Sequence, residues 1–226
     1  MRILVVSATR AEVGPFVSGL RRTVDETSNV TGYAANGHHV DVLVTGVGMV
    51  ATATWVSRTF AHVRYDLALN LGVCGSFDRA LVPGTVVHVV SDRLAELGAE
   101  DGDAFLTIHE MQLLDENAPP FTQGQLVNAA PPVNHVLAGL PSVAGITVST
   151  VHGNEQSIAC VTRRCAPQVE SMEGAAFMYA CLVHAIPFAQ VRGVSNLVER
   201  RNRNAWTLPE AIAALGDTAL RIVDHL

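Results

Sequence analysis

The stretch Val169–Asn196, VESMEGAAFMYACLVHAIPFAQVRGVSN, decides how this chain folds. It opens on two acids, Glu170 and Glu173, and from Gly174 to Val191 carries no charge except on His184 when that ring is protonated. Met172 to His184 is apolar at nearly every helical position, so it reads as a helix buried on all sides. Pro187 ends that helix, and Phe188 to Val194 reads as a core strand. Polarity returns sharply at Arg192, Ser195 and Asn196. Charged groups at the ends of so apolar a run are costly to bury without partners. Two readings stand level: both ends meet at a polar site that holds a ligand, or a helix cap and a strand end satisfy their polar groups separately.

Outward from this stretch, 226 residues suffice for one sizeable core, and nothing marks a linker, so a single domain spanning 1–226 is expected. With 49% apolar and 16% charged residues the chain is globular. All 15 basic residues are Arg, which excludes Schiff-base lysine chemistry and the lysine of a Walker-type phosphate loop. A net charge of −6 without a basic run argues against nucleic acid as a partner. Cys74, Cys160, Cys165 and Cys181 form no CxxC pair and the nine His are dispersed, so neither a metal site nor a disulfide framework is expected. Arg2-Ile-Leu-Val-Val is too short for a signal sequence. Gly174 to Val191 reaches membrane-span length, but His184, Pro187 and Gln190 interrupt it and no basic flank accompanies it. A cytoplasmic protein with no membrane partner follows as the expectation.

Strand and helix signals alternate along the chain. Arg2 to Ser7, His38 to Thr45, Asp66 to Leu71, Val86 to Val90 and Ile146 to Val151 read as strands. A helix with Glu12 near its start follows the first strand, a favourable place for an acid. Further helices are expected over Ala51 to Phe60, Glu155 to Arg164 and Pro209 to Leu226. Val24 to Gly37 is polar and rich in Gly and Asn, and Ala95 to Gln125 reads as a long acidic irregular segment, a type that is usually functional or mobile. The fold class is therefore α/β, with a central, mostly mixed sheet flanked by helices. Gly46-Val-Gly48 lacks the third glycine of a dinucleotide fingerprint. Gly72-Val-Cys-Gly75 reads as a glycine loop at a strand end, where a backbone approaches a ligand closely or simply turns.

Six segments, in order, resemble the nucleoside phosphorylase and nucleosidase superfamily, nearest to its methylthioadenosine/adenosylhomocysteine nucleosidase branch. They are Ala8 to Val13, Thr45-Gly-Val-Gly, Asn70-Leu-Gly-Val-Cys-Gly, Leu81-Val-Pro-Gly-Thr-Val-Val, Ser171-Met-Glu-Gly-Ala-Ala and Arg192-Gly-Val-Ser-Asn. The resemblance implies cleavage of an N-glycosidic bond with neither metal nor organic cofactor. Glu12 matches the carboxylate that orients and deprotonates a water, and Arg192 a residue that fixes the same water. Glu173 matches the carboxylate that accepts both ribose hydroxyls. Met172, Cys74, Gly75 and Ser195 fall where substrate contacts are expected. An acid at Glu12 would repel a phosphate dianion, which favours hydrolysis over phosphorolysis.

The adenine-specific branch has Asp where this chain has Asn196. A carboxamide NH₂ suits a ring nitrogen and a six-position carbonyl, both acceptors, so the base expected is hypoxanthine. That combination resembles the futalosine-cleaving group of the superfamily, as do Glu96 to Phe105 and Glu199 to Trp206. Such a substrate, from the futalosine route to menaquinone, carries a benzoate. Arg200, Arg201 and Arg203 are candidates to meet it, against a reading in which they form a solvated turn. His109 and Glu110 are candidates for the entrance. The rival readings are an adenine-type nucleosidase, a 6-oxopurine phosphorylase, and a non-catalytic nucleoside binder. By analogy with relatives the partners are a nucleoside and further copies of the chain, as a homo-oligomer of dimer size or larger.

Overall fold

The computed structural model describes residues 1–27 and 29–226, with backbone alone for 24–27. The chain opens with β1 (Arg2–Ser7), α1 (Arg10–Ser18), β2 (Arg21–Thr27), β3 (Val30–Ala35), β4 (His38–Val44) and α2 (Met49–His62). Then come β5 (Leu67–Ser76), β6 (Val86–Asp92), the small hairpin of β7 (Gly98–Asp101) and β8 (Ala104–Thr107), and β9 (Leu126–Val127). α3 (His135–Ala138), β10 (Ser142–Thr147), α4 (Glu155–Cys165), β11 (Val169–Ser171), α5 (Gly174–His184), β12 (Phe188–Leu197) and α6 (Leu208–Asp224) complete it, with a 3-10 turn at Arg203–Ala205 before α6.

The main sheet runs β11-β10-β6-β12-β5-β1-β4-β3-β2, with β9 alongside β6. Its pairings are mixed: β5 is parallel to β1 and β12, while β12 is antiparallel to β6. β11 pairs with β10 and also crosses to β5, so β5, β12, β6, β10 and β11 close into a ring. Alternation along β1 builds a core on each face of the sheet. Ile3 and Val5 pack with Phe16 of α1 and Leu215, Ala219 and Ile222 of α6. Leu4 and Val6 pack with Val56 and Phe60 of α2 and Phe177 and Met178 of α5.

α2 lies against α5 on one side and the sheet on the other, but Tyr179 and Val183 stay exposed, so the helix is not buried on all sides as expected. It ends where Ala185 turns left-handed, its N–H reaching back to Cys181 O and Leu182 O, two residues before Pro187. Its first turn is satisfied from outside the helix. Ser171 Oγ accepts from Gly174 N at 3.2 Å, and Thr147 Oγ1 from Ala175 N at 2.7 Å. Glu173 stands at the N-cap without using its carboxylate there. That carboxylate is thus left for another purpose.

Several expectations need correction. The helix starts at Gly174, not Met172, because Val169–Ser171 is a strand held between β10 and β5. Gly72 to Gly75 is not a loop but part of β5, where pairing with β12 along its length, joined by β11 at Gly75, outweighs glycine's poor strand propensity. The strand expected over Ile146 to Val151 lies earlier, at Ser142–Thr147, since Thr147 turns inward to Asp92 and α5. The polar Val24 to Gly37 region contributes β2 and β3, a hairpin on the sheet edge where solvent-facing residues are tolerated; Ser28 lies outside the described residues. Ala95 to Gln125 is irregular as expected, apart from the β7–β8 hairpin. Among the described residues no helix is long and apolar enough to cross a membrane.

Gly174 marks the tightest point of this frame. A Cβ there would lie 2.2 Å from Gln190 Oε1 and 2.3 Å from Asp92 Oδ2, both buried. Gly174→Ala should therefore destabilise the protein by about 1–3 kcal/mol, as overpacking does. Thermal unfolding checks this, and an unchanged melting temperature would show that the site yields without cost.

Candidate active site

Arg192 is the largest fully buried side chain, 1% exposed, and its surroundings define the site. Its Nε donates to Gln190 Oε1 at 3.1 Å and its Nη2 to Asn70 Oδ1. Asn70 Nδ2 is anchored on Val6 O at 3.1 Å, and Gln190 Nε2 donates to Asp92 Oδ2 at 3.2 Å. Asp92 also accepts from Thr147 Oγ1 and from the Arg93 amide. Burial lifts the Asp92 carboxyl to about 6, while Gln190, Thr147 and the Arg192 charge pull the other way. One buried polar chain, Asp92–Gln190–Arg192–Asn70, thus crosses three strands, β6, β12 and β5, and fixes the guanidinium in place. Buried networks of this kind rigidify when every member is satisfied.

Arg192 Nη1 faces two carboxylates. Glu173 Oε2 is 3.8 Å away, while Glu173 Oε1 accepts from the Gly48 amide at 2.9 Å. Burial raises the Glu173 pKa, and the Glu12 charge adds to that, against Arg192 and the Gly48 N–H. Glu12 sits in the first turn of α1 in a capping box with Thr9, its Oε2 accepting from Thr9 N at 3.0 Å and Thr9 Oγ1 at 2.8 Å. Its Oε1 accepts from the Val73 amide at 3.1 Å. Gly72 lies between the partners: a Cβ on it would fall 2.2 Å from Arg192 Nη1 and 3.1 Å from Glu12 Oε1. Glu12, Glu173 and Arg192, from the beginning and the end of the chain, converge on β5. Two carboxylates facing one guanidinium leave a negative centre, suited to a cation that develops on a sugar.

Three residues further along β5, roughly 10 Å at strand rise, the chain builds a second polar centre. A Cβ at Gly75 would lie 3.3 Å from Asn196 Nδ2 and 3.6 Å from Glu170 Cγ. Ser195 Oγ donates to Asn196 Oδ1 at 2.8 Å and lies 3.2 Å from Cys74 O. Asn196 Nδ2 donates to Leu197 O at 2.9 Å, so its second N–H is the group left to offer. A bulge between Val194 and Asn196 aims these two side chains. Cys74 is buried, its thiol pushed up to about 12 chiefly by that burial. Met172 is half-buried at the turn from β11 into α5.

Other candidates separate. Arg201 lines the narrow cavity containing Asn196, its guanidinium 5.2 Å from the Trp206 ring centre, whereas Arg200 lines a shallow surface depression with Arg79 and Arg163. Arg203 is exposed in the 3-10 turn. His109 and Glu110 line a cavity of about 650 Å³ with Arg93, Arg164 and Phe121, to which Glu12, Glu173, Arg192 and Asn196 do not contribute. Among the described residues no group of three or more His, Cys, Asp and Glu side chains is arranged to hold a metal. Sequence reasoning overlooked Asn70, Asp92, Gln190 and His152; Asn70 and Gln190 each stood in apolar strand runs, where a lone amide was the available signal.

A family model of the phosphorylase superfamily matches residues 2–226. The chain belongs to that superfamily. Within it, the chain is similar to a futalosine hydrolase of Streptomyces coelicolor, 33% identical over 193 residues, covering 82% of this chain and 79% of the relative. A futalosine hydrolase of Thermus thermophilus is 28% identical over 226 residues, 97% of this chain and 94% of the relative. Among solved structures, the superfamily fold matches that of the Streptococcus pyogenes S-adenosylhomocysteine nucleosidase bound to 5-methylthiotubericidin, with a TM-score of 0.81 at 16% identity, over 99% of this chain and 96% of that one. The native futalosine hydrolase of Helicobacter pylori matches with a TM-score of 0.81 at 13% identity, over 100% of this chain and 98% of that one.

If Glu12 takes a proton from water, Glu12→Gln should bind nucleoside normally yet lose about 10²–10⁴-fold in kcat. Steady-state kinetics beside a direct binding titration test this. Turnover near the wild-type level would remove Glu12 from the role.

Proposed function

We propose that this protein is an N-glycosyl hydrolase that cleaves futalosine to hypoxanthine and dehypoxanthine futalosine, as a cytoplasmic step toward menaquinone. The observation that carries the reading is the alignment of Asn196. With Oδ1 occupied by Ser195 and one N–H on Leu197 O, the remaining N–H is a donor. A 6-oxopurine turns two acceptors, its N7 and its six-position carbonyl, toward such a donor; adenine puts an amine beside one of them. The similarity to futalosine hydrolases over most of the chain supports the same base and the same reaction.

In this reading the purine lies against Asn196 and Gly75, the ribose hydroxyls on Glu173, and water between Glu12 and Arg192. The separation of the two polar centres along β5 suits the length of a nucleoside. As the bond from sugar to purine breaks, its electron pair goes to the base and positive charge builds on the ribose, facing Glu12 and Glu173. Glu12 removes a proton from the water that adds to the sugar carbon. A phosphate dianion in place of water would meet the same two carboxylates with only Arg192 in opposition, which disfavours phosphorolysis. Exposed Val47, Val50, Leu113 and Val183 support association with further copies of the chain.

Incubation with futalosine and with methylthioadenosine, with free base followed by chromatography, tests the assignment. Hypoxanthine release without added phosphate is expected. Release of adenine alone, or a requirement for phosphate, would overturn it. Asn196→Asp should lower the preference for the hypoxanthine nucleoside over the adenine one by about tenfold or more in kcat/KM, the cost of one mispaired buried hydrogen bond. An unchanged ratio would mean that base choice resides elsewhere.

A further inference from the structure

A purine leaves poorly as an anion, and a carboxamide has no proton to transfer. At the base end of the site, Asn196 therefore recognises without acting as an acid. The Cys74 thiol, at about 12, is too weak an acid to serve in its place. One group there is built for the task. His152 lines the narrow cavity together with Asn196, and its side chain is only 11% exposed. Its Nδ1 lies 2.6 Å from Glu170 Oε2, and its own backbone N–H donates to Glu170 Oε1 at 3.0 Å, so one buried carboxylate grips both the ring and the main chain. The edge of the ring also contacts Phe77, with centroids 6.2 Å apart.

Glu170 is placed by β11, which pairs it directly with Gly75 of β5, the residue that carries Asn196 on its other side. Because Nδ1 faces the carboxylate, Nε2 is the nitrogen left for the cavity. The segment after β12 closes over it: the Arg201 amide donates to Gly153 O at 3.1 Å, and Glu199, Arg201 and Trp206 share the cavity wall. The charged groups facing the ring are thus Glu170 beneath it and Glu199 and Arg201 across the cavity.

We propose that His152, held by Glu170, is a catalytic residue that delivers the proton to the departing purine from Nε2. This rests on the nucleosidase reading above. As the glycosidic bond breaks, its electron pair moves onto the purine and the imidazolium proton passes to N7, while the free Asn196 N–H stays on the six-position carbonyl. The imidazole is left neutral, with Nδ1–H still on Glu170. Glu12 has gained a proton from the attacking water, and exchange with solvent after product release returns one to His152. Charge and protons balance with no further reactant. Glu170 acts through His152 as a positioning residue, as the carboxylate does in other acid–imidazole pairs.

The test compares leaving groups. Wild-type protein, His152→Gln and Glu170→Gln are assayed on the hypoxanthine nucleoside and on p-nitrophenyl β-D-riboside, whose phenolate departs without a proton. Loss of one general acid is worth about 10²–10⁴-fold. His152→Gln should lose at least about 100-fold in kcat on the nucleoside with KM little changed, and only a few-fold on the phenyl riboside. Glu170→Gln should show the same selectivity at smaller amplitude, and it carries the comparison should His152→Gln not fold. Equal losses on both substrates would assign a structural role, and no loss on either would exclude His152; both results overturn the proposal. Wild-type protein that turns over the phenyl riboside but no purine nucleoside would sink the functional reading, and the inference with it.

Discussion

A guanidinium held in the protein interior is the constraint on which the rest of this structure depends. Arg192 is buried in the strand that follows the most apolar helix of the chain, where an unpaired charge is prohibitive. Its neighbours are arranged around that cost. Asn70 and Gln190 take its hydrogens from the adjacent strand and its own strand, Asp92 takes up Gln190, and Gly72 and Gly174 give up side chains so the groups can meet. What remains of the charge is directed at Glu173 and toward Glu12. The stability of the core and the electrostatics of the site are therefore one arrangement, since the partners that make Arg192 tolerable also fix its direction.

β5 connects the two halves of the site. One face of its last turn of sequence serves the carboxylates through Gly72 and the Val73 amide, and Gly75 serves Asn196 and Glu170. A strand is an apt ruler for this purpose because its rise per residue is nearly fixed and its position is set by pairing on both sides. Closure of the sheet into a ring through β11 then brings Glu170 to the same strand from the far side. Helix α5 participates by having its first amides satisfied by Ser171 and Thr147, which leaves Glu173 uncommitted to capping. Fold and site share these few backbone positions.

The base end and the sugar end use different physics. In the proposed function, two carboxylates and one guanidinium at the sugar end set a negative field for a developing cation, an effect of charge that acts at a distance. At the proposed base end Asn196 is neutral, and its direction is set by the Ser195 hydroxyl and a backbone carbonyl. In the proposed mechanism the His152–Glu170 pair, joined at 2.6 Å, supplies the proton at this end. Under that proposal the separation lets the base be recognised by hydrogen-bond pattern while the sugar is stabilised by charge.

Much of this was legible in the residues themselves. The apolarity of Met172–His184 pointed to a helix packed into the interior, the polar cluster at Arg192–Asn196 called for partners without saying whether they were a ligand or neighbouring groups, and Glu12 was readable near a helix start. These are local properties: periodicity, capping and the cost of burying charge depend on near neighbours in the chain. The glycines of β5, the three-residue strand β11 and the pairing of Glu170 with His152 were not readable, because their meaning comes from partners far away in sequence. Gly72 looks like a turn until Arg192, 120 positions on, occupies the space its side chain would fill. Sequence determined which groups needed partners; tertiary structure decided which partners they received, because only the closed sheet sets the distances over which hydrogen bonds and charges act.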